Sequence, residues 1–253
     1  MLKMLSVSFQ GRLGNQLFQV AKIVSDSAEY KIPYTAKGFK YLEYFPNLTN
    51  LEFPRLPFIV YHENGHSYNK FPTPDPSKNN FFVGYFQTEK YFIKHQKIIR
   101  KALSFKKEIQ DEIDRLCDSF KDYTLISVHV RHGDYLNLQD YHPILSKEYY
   151  SEAISHINVP NPLYLVFSDD INWCKQNLNF GPVKYEDELV DSPIKVLCLM
   201  TKCKYHIIAN SSFSWWGAWL SNSVKVIRPK IWFGPNLSHL QINDLCPNHW
   251  ILV

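Results

Sequence analysis

The sequence has little of what marks several classes of protein: it holds 5 cysteines and 9 glycines among 253 residues, and no long apolar run. The cysteines are odd in number and widely spaced, without a CxxC pair, which argues against a disulfide framework and a zinc knuckle. No segment approaches about 18 consecutive apolar residues, so we expect no membrane span. The apolar start of the chain is too short for a signal-peptide core. We therefore expect a reduced, cytoplasmic protein and leave peripheral contact with a membrane open.

The charge is also modest, with 28 Lys and Arg against 24 Asp and Glu, a net charge of +4. No basic run resembles a nucleic-acid-binding stripe, so we expect no nucleic-acid partner and favour a local anion site. Aromatic residues are abundant at 15% and hydrophobic residues reach 45%, which excludes a disordered chain.

The pattern of apolar residues predicts an α/β fold. A strand at residues 4–9 precedes a glycine turn and a helix that ends near residue 30, and from residue 124 onward strands alternate with helices. Such alternation is typical of a mostly parallel, layered sheet. Residues 32–80 contain many prolines and little periodicity, so we expect loops and short elements there. The boundary between two halves is predicted near residues 118–124.

Three polar clusters follow predicted buried strands, at residues 129–134 (HVRHGD), 168–170 (SDD) and 210–214 (NSSFS). Ligands of open α/β sheets bind at the carboxyl ends of the strands. We therefore expect the three clusters to converge in one crevice.

Arg131 is the strongest chemical signal. Alternation along a strand places it on the same side as His129, and its planar guanidinium suits phosphate with two hydrogen bonds. Asp134 is close enough in sequence to orient Arg131 or to bind a sugar hydroxyl. The alternative interpretation is a structural ion pair between Arg131 and Asp134.

The other clusters have two interpretations each. Residues 168–170 form either a helix N-cap, the better interpretation of these residues alone, or a carboxylate site for a base or ribose. Residues 210–214 begin a helix directly after a strand, so they form either a plain cap or a phosphate site that needs no metal. Trp215, Trp216 and Trp219 are interpreted as packing residues. The turn at residues 11–16 (GRLGNQ) matches no P-loop.

One motif points elsewhere, because His62-Glu63-Asn64-Gly65-His66 matches the HExxH pattern of zinc proteases. That pattern requires both histidines on one face of a helix. Here the motif contains a glycine and lies in a proline-rich stretch without helical periodicity, so we expect no metal site.

Five segments, in this order, resemble glycosyltransferase family 11, the α-1,2-fucosyltransferases: GRLGNQLFQVA at 11–21, VGYFQTEKYF at 83–92, SVHVRHGDYL at 127–136, FSDD at 167–170 and ANSSFSWWGAWL at 209–220. The last segment is long and specific, whereas the first is shared in form with protein O-fucosyltransferases. Residues 37–80 and those after about 231 lack recognisable matches.

The resemblance implies a GT-B-like architecture of two Rossmann-like halves facing a cleft. Residues 1–120 would form the acceptor side and residues 121–253 the half that binds GDP-fucose, with the C-terminal segment packing back on the first half. It implies inverting transfer of L-fucose from GDP-β-L-fucose to the 2-hydroxyl of a terminal β-galactoside. GDP-fucose is the expected donor substrate and a galactose-terminated glycan the expected acceptor, with no cofactor and no metal.

The resemblance also implies roles for residues. Arg131 would contact the donor β-phosphate, and Arg131, Asp134 and Asn15 would be the catalytic residues. The usual second arginine of the motif is His132 here, whose charge depends on pH near ~6.5. The donor pocket would be formed by His129, Arg131, Ser168, Asp169, Asp170, Asn210, Ser211, Ser212, Phe213, Ser214, Gly14 and Asn15.

Several alternatives stay open. The general base is not identified, and its candidates are Asp134, His132 and an acid within residues 37–80. The enzyme could form another linkage or use another acceptor, including a protein, and a third hypothesis is a non-catalytic carbohydrate-binding protein.

Overall fold

The computed structural model describes residues 3–54 and 57–253. They form two compact units, one comprising the residues up to Lys106 with Leu240–Pro247, and the other Lys107–His239 with Asn248–Val253. The helix at Lys107–Asp118, which a division at residue 120 assigns to the first half, belongs to the second unit.

The first unit contains a three-stranded parallel sheet in the order β1-β3-β2. Its strands are β1 (Leu5–Val7), β2 (Phe58–His62) and β3 (Asn79–Val83). Helix α1 (Leu13–Tyr30) follows β1, and helix α2 (Gln96–Ala102) lies near the end of the unit. Short 3-10 turns occupy Leu42–Tyr44, Glu89–Tyr91 and Ile93–His95.

The periodicity of residues 89–105 predicts one amphipathic helix, which is wrong. Only α2 is α-helical there, because the chain first makes two 3-10 turns. The hydroxyl of Thr88 accepts a hydrogen bond from the Lys90 amide (3.3 Å) and caps the first of these turns. The residues 81–86 (FFVGYF) predict a strand as well, but β3 ends at Val83, and Phe86 beyond it adopts a positive φ of 54°.

Helix α1 carries a buried charge pair into the core of the first unit. The Lys22 ammonium forms an ion pair with Asp26 and lies 4.4 Å from the centre of the Phe82 ring and 5.0 Å from that of Phe71. Burial lowers the pKa of Lys22 and raises that of Asp26, while each charge favours ionisation of the other. The pair and the surrounding rings therefore compensate for the removal of two charges from water.

The second unit contains a six-stranded parallel sheet in the order β6-β5-β4-β7-β8-β9. Relative to the chain this is the order 3-2-1-4-5-6 of dinucleotide-binding folds, in which the direction of winding reverses between the first and fourth strands. The strands are β4 (Thr124–Val130), β5 (Pro162–Ser168), β6 (Val183–Tyr185), β7 (Tyr205–Ile207), β8 (Lys225–Arg228) and β9 (Ile251–Leu252). The sequence therefore predicted a parallel α/β sheet correctly.

The central strands of this sheet are buried on both faces. All residues of β4 except the first are buried, as are the five central residues of β5. Such continuous burial explains their near-uniform apolar sequences. The covering helices are α3 (Lys107–Asp118), α4 (Lys147–Ser155), α5 (Ile171–Asn177), α6 (Pro193–Met200) and α7 (Ser212–Leu220). Trp215, Trp216 and Trp219 of α7 are buried, which confirms that they are packing residues.

None of the helices in the described part of the chain is long and apolar enough to cross a membrane.

Candidate functional site

The candidate site lies where the winding of the six-stranded sheet reverses. Strands β4 and β7 are neighbours, with Val128 opposite Ile207, and β5 flanks β4 with Ser168 opposite Val130. The turn at residues 131–134 therefore follows the first strand of the sheet, and residues 208–212 follow the fourth. A ligand of this fold binds outside the carboxyl ends of these two strands.

Asp169 joins the first two polar clusters. Its carboxylate accepts hydrogen bonds from the main-chain amides of His132 (2.9 Å) and Asp134 (3.2 Å), and it lies 3.4 Å from Nε of Arg131. Burial raises the pKa of Asp169, but these amides and the charge of Arg131 outweigh burial and lower the pKa to about 2. The turn after β4 is therefore fixed by an ionised side chain from the neighbouring strand.

Arg131 is held in one orientation by two carboxylates. Its Nη2 pairs with Asp134 and its Nε with Asp169, and its guanidinium lies 5.6 Å from the centre of the Tyr135 ring. The predicted ion pair with Asp134 is thus present. The Arg131 side chain retains 19% exposure. A phosphate at this edge would meet a cation that needs little reorientation.

His132 turns toward α5. Its Nδ1 lies 2.8 Å from a carboxylate oxygen of Asp170, and its ring stacks on Trp173 with ring centres 4.4 Å apart. The other oxygen of Asp170 accepts a hydrogen bond from the Trp173 amide and caps α5. The predicted cap in the cluster at residues 168–170 is therefore Asp170, while Asp169 has a different task.

His129 is a neutral, buried imidazole. Burial, with the nearby charge of Arg131, lowers its pKa to about 3. Its ring centre lies 5.7 Å from that of Phe213, and its Nδ1 is buried without a hydrogen-bond partner in the parts of the chain that the structure describes. An unpartnered buried nitrogen costs free energy, so this atom is a candidate contact for a ligand.

The third cluster is tied to the first. The Tyr135 hydroxyl donates to the main-chain oxygen of Asn210 (3.2 Å), whose side-chain amide donates to Pro143 (2.9 Å). The side-chain oxygen of Asn210 is buried, and no partner for it occurs among the described residues. Ser211 caps α7 by accepting a hydrogen bond from the Phe213 amide (3.3 Å). The structure thus brings all three clusters together, as predicted from their order along the chain.

The glycine turn of the first unit depends on a close approach. Gly11 has a φ of +73°, and a β-carbon there would lie 2.3 Å from the side-chain nitrogen of Asn15. Gly14 is buried in the first turn of α1, and the side-chain oxygen of Asn15 accepts a hydrogen bond from Gln87 (2.8 Å). The motif therefore holds Asn15 in a fixed position at the start of α1.

Comparison with known proteins identifies the family. The model of glycosyl transferase family 11 matches residues 48–251. The chain belongs to glycosyltransferase family 11. It is 31% identical to an Escherichia coli α-1,2-colitosyltransferase over 96% of both chains, and 23% identical to the rabbit (Oryctolagus cuniculus) galactoside α-(1,2)-fucosyltransferase 2 over 86% of this chain and 67% of that protein.

The fold of this family 11 member also matches solved structures. Bradyrhizobium NodZ is described as a fucosyltransferase, and a crystal of the NodZ α-1,6-fucosyltransferase soaked with GDP-fucose gives a TM-score of 0.58 at 17% identity, covering 90% of this chain and 96% of that chain. The prediction of a GT-B-like α/β fold is confirmed. The prediction that the chain is a glycosyltransferase related to the α-1,2-fucosyltransferases is confirmed as well.

In this glycosyltransferase the HExxH residues serve another purpose. His62 ends strand β2, so the two histidines do not share a helix face. A carboxylate oxygen of Glu63 accepts hydrogen bonds from the amides of Tyr85 (2.7 Å) and Phe86 (2.8 Å). Glu63 therefore fixes the turn after β3, and burial raises its pKa. No group of metal-ligating side chains occurs in residues 3–54 and 57–253.

Sequence reasoning missed the residues that hold this turn. Gln19 donates to the main-chain oxygen of Gly84 (3.0 Å), and Gln87 donates to Asn15, so α1 and the turn at residues 84–87 are joined twice. A β-carbon at Gly84 would lie 2.4 Å from that of Glu63. The sequence alone shows VGYFQ at residues 83–87 as a recognisable segment. It does not show that Gln19, Asn15 and Glu63 contact this segment.

Proposed function

We propose that this family 11 enzyme transfers L-fucose from GDP-β-L-fucose to the 2-hydroxyl of a terminal β-galactoside, with inversion at the anomeric carbon. The proposal rests above all on Arg131, a cation at the carboxyl edge of the sheet that Asp134 and Asp169 hold in place. The names of the relatives support a 6-deoxy-hexose donor and an α-1,2 linkage.

The chemistry requires a stabilised leaving group. The acceptor oxygen forms a bond to C1 of fucose while the bond from C1 to the β-phosphate oxygen breaks, and both electrons of that bond leave with GDP. Negative charge develops on the β-phosphate as positive charge develops on the sugar. We assign Arg131 to the β-phosphate, together with the N-terminal amides of α7 near Ser212, because fixed donors stabilise developing charge without reorganisation. Asn15 is assigned to the same reaction from the first unit, toward the donor phosphate or the acceptor.

The nucleotide would occupy the edge lined by His129 and the cluster at residues 210–214. The unpartnered Nδ1 of His129 and the side-chain oxygen of Asn210 are suited to hydrogen bonds from guanine or ribose. We assign an indirect role to Ser168, Asp169 and Asp170. Asp169 holds the turn that carries Arg131, Ser168 accepts a hydrogen bond from the Asp170 amide, and Asp170 binds His132 and caps α5.

Among the candidate bases, the arrangement favours His132 over Asp134. Asp134 is ion-paired with Arg131, whereas His132 has one ring nitrogen held by Asp170, an arrangement that fixes the ring and its tautomer. Under this proposal the acceptor hydroxyl gives its proton to Nε2 of His132. Substitution of His132 by Gln is then expected to lower kcat by about 10²-fold or more while the fold is retained, and a kcat close to that of wild type assigns the base elsewhere.

A second donor has specific support, because the relative that matches 96% of the chain is named a colitosyltransferase. Colitose is L-fucose without its 3-hydroxyl, so a site built to hydrogen-bond that hydroxyl would reject it strongly.

The cytoplasm is the compartment we propose, in keeping with five free thiols, of which four are buried.

The deciding experiment is a transfer assay with GDP-fucose and GDP-colitose against a panel of β-galactosides, with the linkage of each product determined. We expect fucose transfer in α-1,2 linkage that persists in EDTA. Preference for GDP-colitose would establish the second donor, another linkage would refute the assignment, and nucleotide binding without turnover on the whole panel would refute transfer.

A further inference from the structure

Residues 90–106 hold a concentration of positive charge that the net charge conceals. They contain six of the 28 Lys and Arg residues and none of the 24 Asp and Glu residues, so the rest of the chain carries 22 basic and 24 acidic side chains. The excess positive charge of the protein therefore lies in this one segment of the first unit.

The segment presents a mixed basic and apolar surface to solvent. Ile99 and Ala102 of α2 are buried, whereas Ile93 is 39% and Ile98 45% exposed. Three exposed lysines share the solvent side with these isoleucines. We define the basic face as Ile93, Lys94, Lys97, Ile98 and Lys101.

Only part of the positive charge on this face is neutralised. Lys94 pairs with Glu29 (2.6 Å), and its ammonium remains largely exposed, so this ion pair is weak. Lys97 and Lys101 have no carboxylate partner in the described residues. Two partly exposed isoleucines therefore lie beside lysines whose charge is not neutralised, so this surface combines apolar side chains with positive charge.

We propose that the basic face binds the surface of an anionic lipid bilayer. Its lysines would lie among the lipid phosphates, and Ile93 and Ile98 would enter the boundary between headgroups and acyl chains. This combination distinguishes a bilayer from a nucleic acid, which attracts the lysines but offers the isoleucines no apolar phase. The proposal is independent of the donor and acceptor assigned above.

The position of the face along α1 keeps it apart from the residues assigned to catalysis in the same unit. Lys94 pairs with Glu29 in the last turn of α1, and Asn15 lies in the first turn. Glu29 follows Asn15 by fourteen residues of this helix, a rise of about 20 Å along its axis. Substitutions in the basic face are therefore expected to leave transfer to a soluble acceptor unchanged.

The test is co-sedimentation of the full chain with vesicles of phosphatidylcholine alone and of phosphatidylcholine with 30% phosphatidylglycerol. We expect binding to the anionic vesicles only, weakened by 0.5 M NaCl. Substituting Lys97 and Lys101 by Gln is expected to weaken binding about thirtyfold, and substituting Ile93 and Ile98 by Ser to weaken it even at low salt. The matched control substitutes Lys121 and Lys147, two exposed lysines of the second unit, by Gln and is expected to bind like wild type.

Any of the following results would overturn the proposal. They are equal binding to neutral and anionic vesicles, an equal loss in the control variant, and wild-type binding by the isoleucine variant. Binding to duplex RNA without binding to anionic vesicles also contradicts it. Transfer to a soluble acceptor, measured for each variant, separates a failure of docking from a failure of the catalytic proposal.

Discussion

Substituting Asp169 by Asn tests the turn that carries Arg131. In the folded protein Asp169 has a pKa of about 2 instead of its ordinary 3.8, which corresponds to about 2 kcal/mol of stability at neutral pH. Asparagine has nearly the same shape, but its amide nitrogen cannot accept a hydrogen bond from the main-chain amides of His132 or Asp134, and it removes the charge beside Arg131. We expect a loss of about 2 kcal/mol in the free energy of unfolding.

The contribution of Asp169 to the free energy of unfolding should depend on pH in a defined direction. Because the pKa of Asp169 is lowered on folding, its contribution is fully present above pH 4 and is lost as the pH falls from about 4 toward 2. The difference between wild type and the Asp169→Asn variant should therefore be constant from pH 7 to pH 5 and narrow below pH 4. Urea unfolding at each pH, followed by circular dichroism and tryptophan fluorescence, measures it.

A matched control distinguishes the effect of losing the contacts of Asp169 from the effect of removing any one negative charge. Asp187 is an exposed aspartate paired with Lys175 (2.9 Å), and its substitution by Asn is expected to leave stability unchanged. An Asp169→Asn variant as stable as wild type at pH 7 would refute the reasoning. So would a deficit of equal size at pH 7 and at the lowest pH where both proteins fold.

Three further predictions concern buried charge and acid. Glu63→Ala should cost about 1–3 kcal/mol, because two main-chain amides lose their acceptor, whereas His62→Ala should cost little; equal losses measured by urea unfolding would contradict this. Lys22→Met should cost about 3–5 kcal/mol by leaving Asp26 unpaired, and the double variant with Asp26→Leu should recover most of it; a double variant no more stable than Lys22→Met would refute the pairing. Burial lowers the pKa of His206 to about 4, so stability should fall as the pH drops from 6.5 to 4, when only the unfolded chain takes up the proton. His206→Gln should flatten that slope, and an unaltered slope of the melting temperature against pH would assign it to other groups.

The sequence alone was sufficient to predict the edge of the six-stranded sheet where the candidate site lies. β4 and β5 are seven residues long and mostly apolar, and polar residues follow them directly, while the shorter β7 is followed by two more apolar residues and then by polar ones. The apolar pattern therefore located these strands, and the rule for parallel sheets brought the three clusters together. What it could not supply was the direction of individual side chains. Asp169 and Asp170 are adjacent, yet one fixes the turn of a neighbouring strand and the other caps a helix.

The first unit was predicted less well, because its contacts join distant segments. The rings around Lys22 come from β3, a loop and turns up to about 70 residues away, and Glu63 binds amides more than 20 residues later. Short motifs and hydrophobic periodicity do not show which distant residues contact each other. The excess charge of residues 90–106 was hidden for a different reason, since a whole-chain sum of +4 cancels it against acids elsewhere.

The central claim is that Arg131 stabilises the departing phosphate, and the kinetics of Arg131 variants test it most directly. Transfer from GDP-fucose should fall in kcat by about 10²–10³ in the Arg131→Ala variant, with a partial loss in Arg131→Lys, while circular dichroism shows an intact fold. Transfer by a folded Arg131→Ala variant within a few-fold of wild type would contradict the account.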